Sequence, residues 1–273
     1  MDLLNFQVGV FPFMYLGVPI FKGKPKACFL QPIADKISSK LTAWKASLLS
    51  MAGRIQLVKS VIQSMLIYSI TIYSWPSGLI KEVEKNIRNF IWSGDVDKRK
   101  LVTTSWKKVC RPLIQGGLNI RSISTLNKAA NLKMCWSLMN SNASWAKLLK
   151  ARVFRNSKPI LHHIYSSLWS SYKDEFSSIM SNSFWLLGTG EKINFWNDNW
   201  CGMPLTDLFH IPQHVSVLLT SQVSDYISNG HWNLPPQLSQ AFHNISNIVH
   251  NVTIPLVPSL DKILWQHSDS GDL

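Results

Sequence analysis

Three groups of residues in this 273-residue chain have types and spacings that could do chemistry. The first is acidic. Two-metal phosphoryl transfer needs carboxylates that converge on a pair of ions about 4 Å apart. The neighbouring carboxylates are Asp95/Asp97, in a basic loop, and Asp174/Glu175, in an expected helix. Neither pair follows an apolar strand that would hold it at a sheet edge, so no catalytic residue is assigned. The second group is Cys201 with His210 and His214. A structural zinc site takes four ligands and usually opens with a cysteine pair, so no metal is expected. P-loop, GxSxG and HExxH motifs are missing from the sequence, and no cofactor is implied.

The third group is cationic, and its chemistry is phosphate binding. Lys81, Lys85 and Arg88 follow one another at i, i+4 and i+7, which places them on one helical face. Lys36 and Lys40 are helical neighbours, and Arg54, Lys59, Lys98, Arg99, Lys100, Lys107 and Lys108 complete the candidate set. Arg54 follows a small-residue turn, and pairing with a carboxylate inside the fold is the alternative for it. Residues 1–160 hold 25 Lys/Arg against 6 Asp/Glu, whereas residues 161–273 hold 3 against 9 and all eight histidines. An excess of that size attracts polyanions by screened Coulomb steering and counterion release. The asymmetry predicts two parts with different tasks.

Apolar periodicity defines the elements that must carry these cations. Ile33, Ile37, Leu41, Trp44 and Leu48 form one stripe, predicting an amphipathic helix over Pro32–Leu49 with Pro32 at its first position. A second helix after Ser50 carries Ile55, Val58, Val61, Ile62, Met65 and Leu66 and is expected to be the most buried. A third runs over 79–92, with Ile80, Val83, Ile87, Phe90 and Ile91 opposite the Lys81 face. Ser124 is expected to cap a helix to Asn140, and another is predicted over 145–154. Gly188-Thr189-Gly190 between aromatic runs predicts a tryptophan-rich β-hairpin over 185–200, with weaker helices over 215–228 and 236–249. Two uncharged stretches, Leu3–Phe21 and Val61–Ile80, are interrupted by proline and diluted by polar residues, and read as buried core, not membrane. With 46% apolar residues the chain can bury a core, and four scattered cysteines argue for reduced intracellular thiols.

Five strings in order carry a family resemblance: YLGVP at Tyr15, WKASLLSMAGR at Trp44, FIW ending at Trp92, GGL at Gly116, and the tryptophan segment from Trp185 to Trp200. Together they resemble the region that follows the catalytic palm in plant LINE (non-LTR) retrotransposon reverse transcriptases. The resemblance implies that Tyr15, Leu16 and Gly17 mark the palm-to-thumb junction, and that Trp44, Gly53, Trp92, Gly116, Gly117, Trp185, Trp196 and Trp200 are structural positions of the thumb and connector. It also implies a zinc-binding region beginning at Asp261 and continuing beyond Leu273.

The expected fold is mainly α: a basic helical thumb-like bundle over 32–160 behind a junction remnant over 1–31, then an α+β connector over 161–260 and a zinc-region start over 261–273. The expected function is non-catalytic, sequence-independent binding of an RNA–DNA hybrid or duplex DNA, in the nucleus, as part of an RNA-directed DNA polymerase whose paired aspartates do not occur in these residues. Three settings fit that expectation: a degenerate element copy without selected function, a stand-alone nucleic-acid-binding or scaffold protein, or a piece acting with a separately encoded palm.

Overall fold

The structure, a computed structural model, describes residues 9–44, 48–155, 158–160, 162, 164 and 166–273. Lys45, inside the expected first helix, and residues 3–8 of the first uncharged stretch lie outside them. Helix dominates, and every strand belongs to a two-stranded antiparallel pair. Two units are present, one of residues 1–134 with 163–172, the other of 135–162 with 173–273. Their boundary does not follow the change of charge near residue 160: the first unit carries 20 Lys/Arg against 6 Asp/Glu, the second 8 against 9.

The first unit opens on a hairpin of β1 (Phe13–Tyr15) and β2 (Val18–Ile20). Its turn is Leu16-Gly17, with φ of 49° and 82°; positive φ at both positions matches the right-handed twist of paired strands, and glycine supplies it without strain. The hairpin is anchored by Phe21, whose ring lies 4.7 Å from Phe29 and 4.5 Å from Tyr73, and by the Tyr73 hydroxyl donating to Pro19 O.

Helix α1 spans Ala27–Ala43, five residues earlier than expected at its start and short of Leu49 at its end. Pro32 is therefore interior, where it removes one backbone bond. Burial of Leu30 in line with Ala34, Ile37 and Leu41 outweighs that loss. Trp44 ends the helix in extended conformation and Leu48 is 79% exposed, so Leu48 leaves the stripe. Next, α2 (Met51–Leu57), a π-helical turn over Val58–Ile62 and α3 (Gln63–Ile72) form one continuous helix. Its core residues Val58, Ile62, Leu66 and Ile70 recur every four positions. At 3.6 residues per turn such a row drifts around the helix, and one wider turn pulls it back. By length and composition this helix could cross a membrane, yet one face belongs to the core of the unit. It is not the most buried helix: Ile67 and Tyr68 are exposed.

Helix α4 (Ser77–Ser93) buries Leu79, Ile80, Val83, Ile87, Phe90 and Ile91, the expected face, and stops at Gly94 (φ 79°), whose N–H returns to Phe90 O. After the short α5 (Trp106–Val109) comes α6 (Ile123–Asn140). Its cap is Ser122, which accepts from Thr125 N, and not Ser124. Buried Asn127 on α6 joins three segments: it donates to Ile70 O and Tyr73 O and accepts from Trp75 N.

In the second unit α7 (Ser144–Val153) matches the expected helix, and β3 (Phe154–Arg155) pairs with β4 (Lys158–Pro159). Helix α8 (Trp169–Ser181) leads into β5 (Ser183–Leu186). The expected tryptophan hairpin does not form. Instead β5 pairs with β8 (Lys262–Trp265), and the Gly188–Lys192 loop wraps buried Asp261, whose carboxylate accepts from Gly188 N, Gly190 N and Lys192 N at 2.8–2.9 Å. Ile193, Phe195, Trp196 and Trp200 fill the core, with Trp200 Nε1 donating to Phe195 O. Between them run α9 (Leu205–Leu208), α10 (Gln213–Ser216), the hairpin of β6 (Ile227–Ser228) and β7 (His231–Trp232), α11 (Pro236–Ala241) and α12 (Ile245–His250). The two weaker helices are thus broken, the second by extended Phe242 and by Asn244 at φ 65°.

Three glycines of the family strings face different constraints. A Cβ on Gly117 would lie 2.0 Å from Arg111 O, Gly116 needs only its φ of 75°, and a Cβ on Gly53 meets nothing nearer than 3.6 Å. Gly117→Ala should therefore cost at least about 2 kcal/mol and Gly116→Ala about 1 kcal/mol. Gly53→Ala should be neutral or stabilising by up to about 1 kcal/mol. Denaturant unfolding of the three variants checks the order, and an unperturbed Gly117→Ala would refute the close approach.

Candidate nucleic-acid interface

The basic face of α4 exists because its opposite face is held. Val83, Ile87, Phe90 and Ile91 are buried in the core of the first unit, so the helix cannot rotate. Lys81, Lys85 and Arg88 are all exposed on the remaining side, at the expected spacing. The carboxylates of α4 are engaged locally. Glu82 accepts a bond from Gln31 Nε2 at 3.4 Å. Half-buried Glu84 accepts from Ile123 N at the start of α6, and burial pushes its carboxyl up from the usual range.

Arg54 has a different task from phosphate contact. Its Nη1 donates to Ile91 O at 2.9 Å and Phe90 O at 3.4 Å, and its Nε to Leu49 O at 3.3 Å. The last carbonyls of a helix have no partner within it, and a guanidinium has several donors in a fixed fork. Arg54 therefore ties α2 to the end of α4, with its Nε and Nη1 engaged inside the fold.

The other candidates occupy the same unit. Lys36 and Lys40 are exposed on α1, Lys59 is half-buried in the π turn, and Lys98, Arg99, Lys100, Lys107 and Lys108 are exposed beyond α4. Among the described residues of this unit Lys98–Asp95, at 3.4 Å, is the only ion pair. Both partners are exposed, and such pairs contribute little. Lys22, Lys24, Lys26, Arg111, Arg121, Lys128 and Lys133 are exposed here too. They lie outside the candidate set, although the charge balance counts them.

The remaining motif residues are spent on structure. Trp44 packs 5.6 Å from the Phe90 ring, Trp92 lies partly buried against the core, and Trp185, Trp196 and Trp200 belong to the core of the second unit. Tyr15 and Leu16 are exposed with Val10, Phe11, Phe13 and Met14, an apolar surface at the hairpin.

Groups suited to catalysis or metal binding are poorly placed. Asp95 turns its Oδ1 to Asp97 N, a bond that lowers its carboxyl below the ordinary value. No group of three His, Cys, Asp or Glu side chains gathers among the described residues. Burial pushes the Cys201 thiol up to about 11, and its Sγ donates to Met203 O. His210 and His214 are exposed.

No known family profile matches the chain. It is similar to an Arabidopsis thaliana protein named "Putative ribonuclease H protein", at 27% identity over 248 residues, which are 88% of this chain and 40% of that protein. A second Arabidopsis thaliana relative, named as an uncharacterized mitochondrial protein, is 23% identical over 139 residues, 49% of this chain and 90% of its own length. The chain thus spans less than half the length of the first relative and most of the second.

Arg54→Ala should lower stability by about 1.5–3 kcal/mol, the range for hydrogen bonds to charged groups. Arg54→Lys should recover little, because lysine lacks the fork. Denaturant unfolding measures both, and wild-type stability in Arg54→Ala would remove the clamp. Thiol reactivity gives a separate check. Burial raises Cys110 and Cys201 to about 11 and Cys135 to about 12, whereas Cys28 is exposed. Because the thiolate is the reactive form, iodoacetamide at pH 8 should label Cys28 first and Cys135 last, as read by peptide mass spectrometry.

Proposed function

We propose that these residues are the thumb and connector of a LINE-type reverse transcriptase, and that the first unit grips a nucleic-acid duplex by its phosphates without reading sequence. The observation that carries this is the exposed row Lys81, Lys85 and Arg88 on a helix locked by its buried face, within a unit of 20 Lys/Arg against 6 Asp/Glu. A rigid row at about one helical turn per residue suits a regularly spaced anion such as a phosphate backbone. Similarity to a protein named for ribonuclease H, an activity on RNA–DNA hybrids, favours a hybrid over duplex DNA as the ligand. Binding, not bond cleavage or synthesis, is the role assigned to these residues, and the nucleus is its proposed place. The exposed apolar hairpin of Phe11, Phe13, Met14, Tyr15 and Leu16 supplies the surface on which the polymerase's catalytic palm would pack.

Replacing Lys81, Lys85 and Arg88 together by alanine should weaken binding to every duplex sequence alike. The slope of log affinity against log salt should flatten by roughly 0.9 for each lost phosphate contact. Fluorescence anisotropy with labelled RNA–DNA and DNA duplexes across a salt series measures this. Unchanged affinity and slope in a folded triple variant would reject α4 as the gripping face.

A further inference from the structure

A cavity of about 320 Å³ in the second unit brings together two lysines that no carboxylate pairs. Lys150, half-buried on α7, donates from Nζ to Met139 O at 2.8 Å and Ser141 O at 3.2 Å. That leaves one of its three donors unused. Lys192 lines the same cavity from the loop that wraps Asp261, and its side chain is exposed with no hydrogen bond or ion pair. Burial, and then the charge of Lys192, hold the Lys150 ammonium below the usual lysine range, so the two cations feel one another.

Two carboxylates also face the cavity and must be accounted for. Asp261 is buried with its oxygens turned to three backbone N–H groups, and buried Asp198 accepts from Asn194 N at 2.7 Å. Neither lies within ion-pair distance of Lys150 or Lys192. Half-buried Trp185 and Phe154 provide aromatic walls. Two lysines lining one cavity, neither within ion-pair distance of a carboxylate, suit a multivalent oxyanion, and an aromatic wall suits a flat π-face.

We infer that the second unit holds a nucleotide site, in which a phosphate ester bridges Lys150 and Lys192 and a planar base lies against Trp185. The site is built from residues of the second unit alone, and its proposal does not rest on the one made for α4. A phosphate ester with a base comes either from a free nucleotide or from the 5′-phosphorylated end of a strand.

The test uses the full chain and three probes: AMP by equilibrium dialysis, inorganic phosphate as competitor, and labelled short single strands with and without a 5′-phosphate. Lys192→Glu, at an exposed position, should leave the far-UV spectrum and melting temperature unchanged while weakening AMP binding at least tenfold. The alanine triple variant of α4 should bind AMP as the wild type does. Phosphate should displace AMP, because the anion is the shared element. A preference for the 5′-phosphorylated strand over both AMP and the 5′-hydroxyl strand, lost in Lys192→Glu, assigns the site to strand ends. Equal binding of both strands, with AMP binding lost in Lys192→Glu, assigns it to free nucleotides. Absence of millimolar AMP binding, or AMP affinity unchanged in Lys192→Glu, overturns the site.

Discussion

The C-terminal end of α4 is closed by a side chain from another helix. A helix finishes with carbonyls that nothing inside it can satisfy, and here one of them, Ile91 O, meets the guanidinium of Arg54, which also reaches Phe90 O beside the Gly94 N–H. The same side chain bonds Leu49 O, so one residue joins the end of one helix to the beginning of another. Between these ends the apolar faces of α1 and α4 supply the bulk of the attraction, with Ile37, Leu41, Val83 and Phe90 essentially without solvent contact. Hydrophobic burial has no preferred direction. The guanidinium adds a directional tie at the end of a helix whose outward face is already fixed by burial of the opposite one.

The second unit solves a comparable problem with the opposite charge. Asp261 stands 73 residues from Gly188 in the chain, and its carboxylate gathers three amides of the loop over 188–192. The backbone of that loop approaches so closely that a Cβ on Gly188 would lie 2.2 Å from Ser259 O. Strand β8 is thereby held beside β5, and the aromatic segment that follows the loop is free to turn inward and form the core.

Periodicity found the helices of the first unit because each is half-buried and carries a repeating apolar face. It placed the α4 face and its cations correctly, since both depend only on spacing within one element. It misjudged helix ends: Pro32 stays inside α1 because Leu30 is buried, and Ser122 caps α6 in place of Ser124, two residues on and equally able to cap by type. Arg54 could not be assigned from its neighbours in sequence, because two of its three acceptors are 36 and 37 residues away. The tryptophan segment misled for the same reason. Glycines between aromatic runs are common to hairpins and to loops that wrap a buried carboxylate, and only the position of Asp261 separates the two. Asn127 carried no local signal at all, as one polar residue in an otherwise ordinary helix.

The scarcity of ion pairs in the first unit bears on how the fold is maintained. Twenty cations share this unit with six carboxylates, and among the described residues only Lys98 has an acidic partner within 4 Å. Such a surface repels itself, and the repulsion is a free-energy cost that the folded chain bears when alone. A bound polyanion removes that cost only from the native state, where the cations are held in place. By linkage, a ligand present at a hundred times its dissociation constant adds about 2.7 kcal/mol to the stability of what it binds. If the unit binds a polyanion as proposed, its conformational stability is set in part by the concentration of that ligand, and its resistance to unfolding and proteolysis rises and falls with occupancy.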